Sequence, residues 1–180
     1  MGSYTVGLLT SVPVASAPEL VGAPTFAALE RLGLLDDVGV TEVDPNLSDT
    51  ALTQDAYDLP LDALANCVVV AGKREGVEKV AACMVLATTR ADVNNVVRRR
   101  LDVRKATFLG RDVAVERTGM EYGGITPIGL PSDWPVLVDA AVAAQSVLVI
   151  GSGVRRSKLM LPGAVLAALP TAETVESLGR

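Results

Sequence analysis

Two apolar runs joined by a short polar tip constrain this fold more than any other feature. Cys67-Val68-Val69-Val70-Ala71 is wholly apolar, Gly72-Lys73-Arg74-Glu75-Gly76 is polar, and Val80 to Ala87 is apolar again. A short run rich in β-branched residues predicts a buried strand, and the glycine-bearing polar tip predicts a hairpin that brings a second strand back.

The flanking segments alternate in type. Thr25 to Leu35 carries Phe26, Leu29, Leu32 and Leu35 at helical spacing. Asp44-Pro45-Asn46 signals a turn, and Ser48 to Tyr57 predicts a short helix capped by Ser48 or Asp49. Thr89 and Asp92 have capping-box spacing before the helical face Val93, Val96, Val97 and Leu101, whose last turn holds Arg98, Arg99 and Arg100. Lys105–Phe108, Pro135–Asp139, Val147–Ile150 and Lys158–Leu161 predict strands. Asp112–Arg117, Ala140–Ala144, Gly163–Leu169 and Thr171–Leu178 predict helices. Hairpins mixed with strand–helix crossovers imply one mixed α/β (α+β) domain, with a central mixed, barrel-like sheet surrounded by helices. Residues 1–22 show no clean period. Residues 1–47 are expected to form an N-terminal extension packed on a domain spanning 48–180.

The composition excludes several chemistries. Histidine is absent, which removes Ser-His and Cys-His nucleophile pairs, histidine metal sites and imidazole acid–base catalysis. Cys67 and Cys83 lie in apolar runs without spaced partners, so they read as small buried hydrophobes and not as zinc or redox motifs. Such cysteine use suits a reducing cytoplasm. Met1 to Leu20 has no basic start and is interrupted by Pro13 and Pro18, against a signal peptide. No apolar stretch is long enough to span a bilayer, so no membrane partner is expected. Only two Phe, three Tyr and one Trp occur, too few for rows of base-stacking aromatics. Charge is uneven: residues 1–62 hold ten acids and one base, whereas residues 63–180 hold eleven acids and fifteen bases. The second part suits an anionic ligand.

Two glycine motifs lie in that basic part. Gly123-Gly124-Ile125-Thr126-Pro127-Ile128-Gly129 is one, and Gly151-Ser152-Gly153-Val154-Arg155-Arg156-Ser157-Lys158 is the other. Glycine lets amide N–H groups turn outward together, and proline fixes the loop exit. The pair suggests a pocket gripping an ester or a phosphate. The second motif has neither P-loop nor dinucleotide-fold spacing, which disfavours a nucleotide-phosphate enzyme.

From about Ser48 to the C-terminus the chain resembles the YbaK/ProX family of aminoacyl-tRNA deacylases, a domain also inserted in bacterial prolyl-tRNA synthetases. The likeness rests on the hairpin Asn66–Ala87, the helix Asp92–Leu101, Gly119 to Pro127, the strand Pro135–Asp139, and Gly151 to Leu159. It implies hydrolysis, in trans, of the ester between a small mischarged amino acid and the 3′-terminal adenosine of tRNA. No metal, cofactor or covalent nucleophile is implied. The implied partners are the 3′ end of aminoacyl-tRNA and an aminoacyl-tRNA synthetase. Gly123 and Gly124 would stabilise the developing oxyanion, with Ile125, Thr126 and Pro127 completing the substrate loop. Arg155, Arg156 and Lys158, with Gly151, Ser152 and Gly153, would hold the terminal phosphate or ribose. Asp139 would orient a pocket group or bind the substrate amine, unless it caps the helix that follows. One position departs from the family pattern: Ala65-Asn66-Cys67-Val68-Val69 puts Asn66 where a functional lysine is expected. Asparagine offers a neutral donor and an acceptor in place of a fixed charge. A non-catalytic module binding an aminoacyl-adenosine, a nucleotide or a protein is therefore the alternative function.

Overall fold

The computed structural model describes residues 2–180. β1 (Thr5–Val6) and β2 (Leu9–Thr10) form a small ribbon, followed by β3 (Val12–Pro13), α1 (Ala23–Leu32) and β4 (Gly39–Glu42). α1 has proline in its first turn and ends at Gly33 in the left-handed region, the usual proline-first, glycine-last pattern. α2 (Thr50–Tyr57) begins at Asp49, whose carboxylate accepts from the Ala51 amide at 3.1 Å. β5 (Ala65–Arg74) and β6 (Val77–Leu86) form the long hairpin. Its turn is only Glu75-Gly76, both at positive φ, so Gly72, Lys73 and Arg74 extend β5 and do not form the tip.

A π-helical turn over Val93–Val97 runs into α3 (Arg98–Leu101), then β7 (Lys105–Phe108) and α4 (Arg111–Thr118). The capping box is not formed. Asp92 is the N-cap and accepts from the Asn95 amide at 3.1 Å, while the Thr89 hydroxyl donates to the Leu86 carbonyl. β8 (Val136–Asp139), α5 (Ala140–Ala143), β9 (Leu148–Gly151), β10 (Ser157–Leu161), α6 (Gly163–Ala167) and β11 (Ala172–Val175) complete the chain. β11 replaces the helix expected over Thr171–Leu178. Val175 and Leu178 are spaced for a helix, but the segment gains more by pairing in parallel with β8 from Ala172↔Val136 to Val175↔Asp139.

The architecture is the expected mixed α/β one. Two sheets carry it, ordered β3-β4-β10-β9 and β11-β8-β6-β5-β7, and a parallel bridge between Leu64 and Val149 joins them. β6 lies inside the five-stranded sheet. Ala82, Met84 and Leu86 enter the main core, while Ala81, Cys83 and Val85 enter the core on the opposite face. Burial on both faces explains why β6 reads as a continuous apolar run and not as an alternation. The segment 1–47 supplies β3 and β4 to the other sheet, and β4 pairs directly with β10.

Candidate functional site

The two glycine motifs pack against each other, backbone to backbone. Gly153 N–H donates to the Gly124 carbonyl at 2.7 Å, Glu121 N–H to the Gly153 carbonyl at 2.9 Å, and Gly124 N–H to the Glu121 carbonyl at 2.9 Å. A Cβ on Gly124 would lie 2.5 Å from the Val154 carbonyl oxygen, so only glycine permits this approach. Arg155 fastens the arrangement from outside. Its amide donates to Glu121 Oε2 at 2.6 Å and its Nη2 to the Pro45 carbonyl at 2.9 Å. Gly123, at φ 90°, is exposed, and among the described residues its N–H has no acceptor.

Gly123 lies on the wall of a cavity of about 330 Å³ between α2, the start of β5, β9, β10 and the glycine turn. Leu64, Ala65, Cys67, Val69, Leu109, Ile125 and Val149 give it apolar walls. Polar groups stand among them. Lys158, only 8 % exposed, is held by a hydrogen bond from its Nζ to the Ser48 carbonyl at 3.0 Å. Removal from water lowers its pKa to about 8, opposed by the Asp49 carboxylate and reinforced by Arg155. The Ser48 hydroxyl is buried and has no partner. Asn66 accepts from the Thr50 hydroxyl through Oδ1 at 2.7 Å, which leaves its amide N–H groups as donors. Gly123 supplies a further donor.

Of the residues expected at the site, the cavity wall brings together Asn66, Gly123, Ile125, Gly151 and Lys158. The others lie elsewhere, each for a visible reason. Gly124, Thr126 and Pro127 are buried beneath the turn, and Thr126 keeps an unpartnered hydroxyl there. Ser152 lies 2.7 Å, hydroxyl to hydroxyl, from Ser157, and Gly153 packs on Gly22 and Thr25. Asp139 caps α5 through the Ala141 amide at 2.8 Å and also takes the Gly179 amide, so both carboxylate oxygens serve the fold. Arg156 binds the Glu19 carbonyl of the N-terminal segment. Arg155 stays behind the turn as described.

Residues that sequence reasoning did not single out also line the cavity: Ser48, Asp49, Thr50, Tyr122 and Phe108. The cap expected at Ser48 or Asp49 is made by Asp49, and that expectation hid the second position of the pair on the cavity wall. Tyr122 carries the Arg111 guanidinium 4.9 Å above its ring. Cys67 is on the wall, but its apolar surroundings raise the thiol well above its ordinary pKa, so it is not a thiolate nucleophile at neutral pH.

The arrangement is a small apolar hollow with a cation and several preset donors converging on it, suited to an acyl oxygen that gains negative charge. Among the described residues no helix is long and apolar enough to cross a membrane. The sequence matches the family model of the aminoacyl-tRNA editing domain over residues 44–169. No curated protein matches the chain in sequence. Among solved structures, the fold is similar to a protein provisionally assigned as a trans-editing enzyme for prolyl tRNA synthetase. The TM-score is 0.73 at 19 % identity, over 86 % of this chain and 94 % of that one. A hypothetical protein is equally similar, with TM-score 0.75 at 16 % identity over 87 % and 99 % of the two chains.

Proposed function

This chain belongs to the aminoacyl-tRNA editing domain family, and we propose that it acts in trans in the cytoplasm, hydrolysing the ester of a tRNA mischarged with a small amino acid. The observation that carries this reading is that Lys158, Gly123, Asn66 and Ser48, whose buried hydroxyl has no partner, all lie on the wall of one cavity. The similarity to a provisional trans-editing enzyme supports it. The modest volume and the apolar wall of Cys67, Val69 and Ile125 favour a small side chain.

The ester carbonyl oxygen lies among Lys158, Gly123 N–H and Ser48 Oγ–H. Water adds to the carbonyl carbon and gives up its proton to solvent. The charge that moves onto the oxygen meets donors already in place, so no reorganisation is needed at that moment. Collapse expels the ribose oxygen, which is protonated as it leaves. Asp49, on the same wall, receives the substrate ammonium. Lys158 supplies the positive charge that Asn66 lacks, from β10 in place of β5. The editing unit in this reading spans residues 48–180, with 1–47 attached to it through β4.

The test is amino-acid release from a panel of mischarged tRNAs. Wild type is expected to release small residues, and Lys158→Met to be slower by about 100-fold. No release from any member of the panel sinks the reading. Asn66 favours one competing function, binding without turnover. Tight binding of a non-hydrolysable aminoacyl-adenosine by a protein that releases nothing would select it.

A further inference from the structure

A second cavity, of about 460 Å³, lies further along β5 and shares Phe108 and Leu109 with the first. It sits on the outer side of the five-stranded sheet, where β7 is the terminal strand. Lys73 of β5 and Lys105 of β7 are direct cross-strand partners there, and Arg104 precedes Lys105. Like charges facing each other across a ladder destabilise a sheet. The one carboxylate lining the cavity, Glu78, stands opposite Lys73 on β6 and is bound by Arg117 at 2.6 Å. Among the described residues Lys73, Arg104 and Lys105 form no ion pair. Lysine at a sheet edge also discourages pairing with another chain. That role does not account for Phe108, which is 62 % exposed between the two cavities. From Cys67 in the first cavity to Lys73 in the second, the strand covers about 20 Å at its usual rise.

We infer that this groove is the track for the unpaired 3′ strand of the tRNA. The terminal adenosine enters the first cavity, and the backbone phosphates run over Lys73, Arg104 and Lys105; the preceding base folds over the β7 edge onto Phe108, which strand alternation turns to the other face of the sheet. A stack of one aromatic and a line of cations is the minimal single-strand platform, and it tolerates any base. The inference rests on reading the first cavity as the editing site.

The test measures binding of a 5′-fluorescein single-stranded RNA ending in CCA by anisotropy, so it needs no turnover. Lys73→Gln/Lys105→Gln is expected to weaken binding and to reduce the slope of log affinity against log salt by about 1.4, the value for two lost phosphate contacts on a single strand. Phe108→Ala is expected to weaken it by about tenfold with the slope unchanged. Arg31→Glu, a charge change on α1, should leave binding as it is. Hydrolysis of a 3′-O-aminoacyl-adenosine should be equal in wild type, Lys73→Gln/Lys105→Gln and Arg31→Glu. Thermal unfolding checks that each variant is folded. Wild-type affinity in the lysine and phenylalanine variants overturns the track, as does equal binding of a blunt RNA duplex. If wild type cleaves no ester and the affinities still fall as stated, the editing reading fails and the track stands.

Discussion

Lys158 and Gly123 reach the same cavity from differently built supports. Lys158 stands inside a ladder, opposite Thr41 of β4 on one side and Gly151 of β9 on the other. Its charge is removed from water, and that burial costs enough to bring its pKa down to about 8. Gly123 stands on an exposed turn whose shape is fixed by bonds of its neighbours, and it offers a dipole with no charge to desolvate. The costly donor is on the rigid element and the cheap one on the loop. A buried ammonium displaced by an ångström would lose its carbonyl partner, whereas an exposed amide can always return to water.

The contrast can be broken most severely at the residue that fixes the turn. Gly124→Val forces side-chain atoms into the Val154 backbone and should lower stability by about 3 kcal/mol, read from denaturant unfolding. Lys158→Met should remove most activity while holding or raising the melting temperature, because a desolvated charge leaves and an apolar chain of similar length takes its place. A variant that loses stability together with activity would show that the lysine is structural. In the Lys158→Met background, Asn66→Lys should recover about tenfold in rate by returning the cation from β5. In the wild type the same exchange should bring no gain, since two ammonium groups would then share one hollow. Ser48→Ala should slow release by less than about tenfold with stability unchanged, as the hydroxyl removed has no partner in the fold.

Titration gives the smallest and sharpest distinction. Lys158 is charged below about pH 8, so release should fall as pH rises through that value. Stability should move the other way. The folded state holds this proton less tightly than the unfolded chain does, so between about 8 and the ordinary lysine value of 10.5 the unfolded state binds more protons. Stability attributable to Lys158 therefore rises across that window and is flat below it. The difference between wild-type and Lys158→Met unfolding curves measures it.

Much of this was legible in the residues. The hairpin and β8 follow from apolar runs, and the end of α4 from Gly119, and those signals are local. β11 was not legible, because its apolar spacing fits a helix and only the free edge of β8 decides otherwise. At the site, Asn66, Gly123 and Lys158 stood out by type and context. Ser48 did not, because capping explained its neighbourhood. Nor could Arg155 and Arg156 be separated from Lys158 in one basic stretch. Arg155 is half-buried, Arg156 is exposed, and both hold carbonyls from outside, whereas strand alternation turns Lys158 inward beside Met160. That sorting depends on where β4 and the Pro45 turn lie, which is information held far away in the chain.

The intercalation of β4 between β3 and β10 has a practical corollary. A fragment trimmed to begin at residue 48 would strip β10 of its Thr41-side partner and leave a bare row of peptide groups along the strand that bears Lys158. Such a flank recruits any extended polypeptide, including another copy of the fragment. Shortened versions should therefore precipitate or self-associate, a fate that β4 prevents by covering that flank.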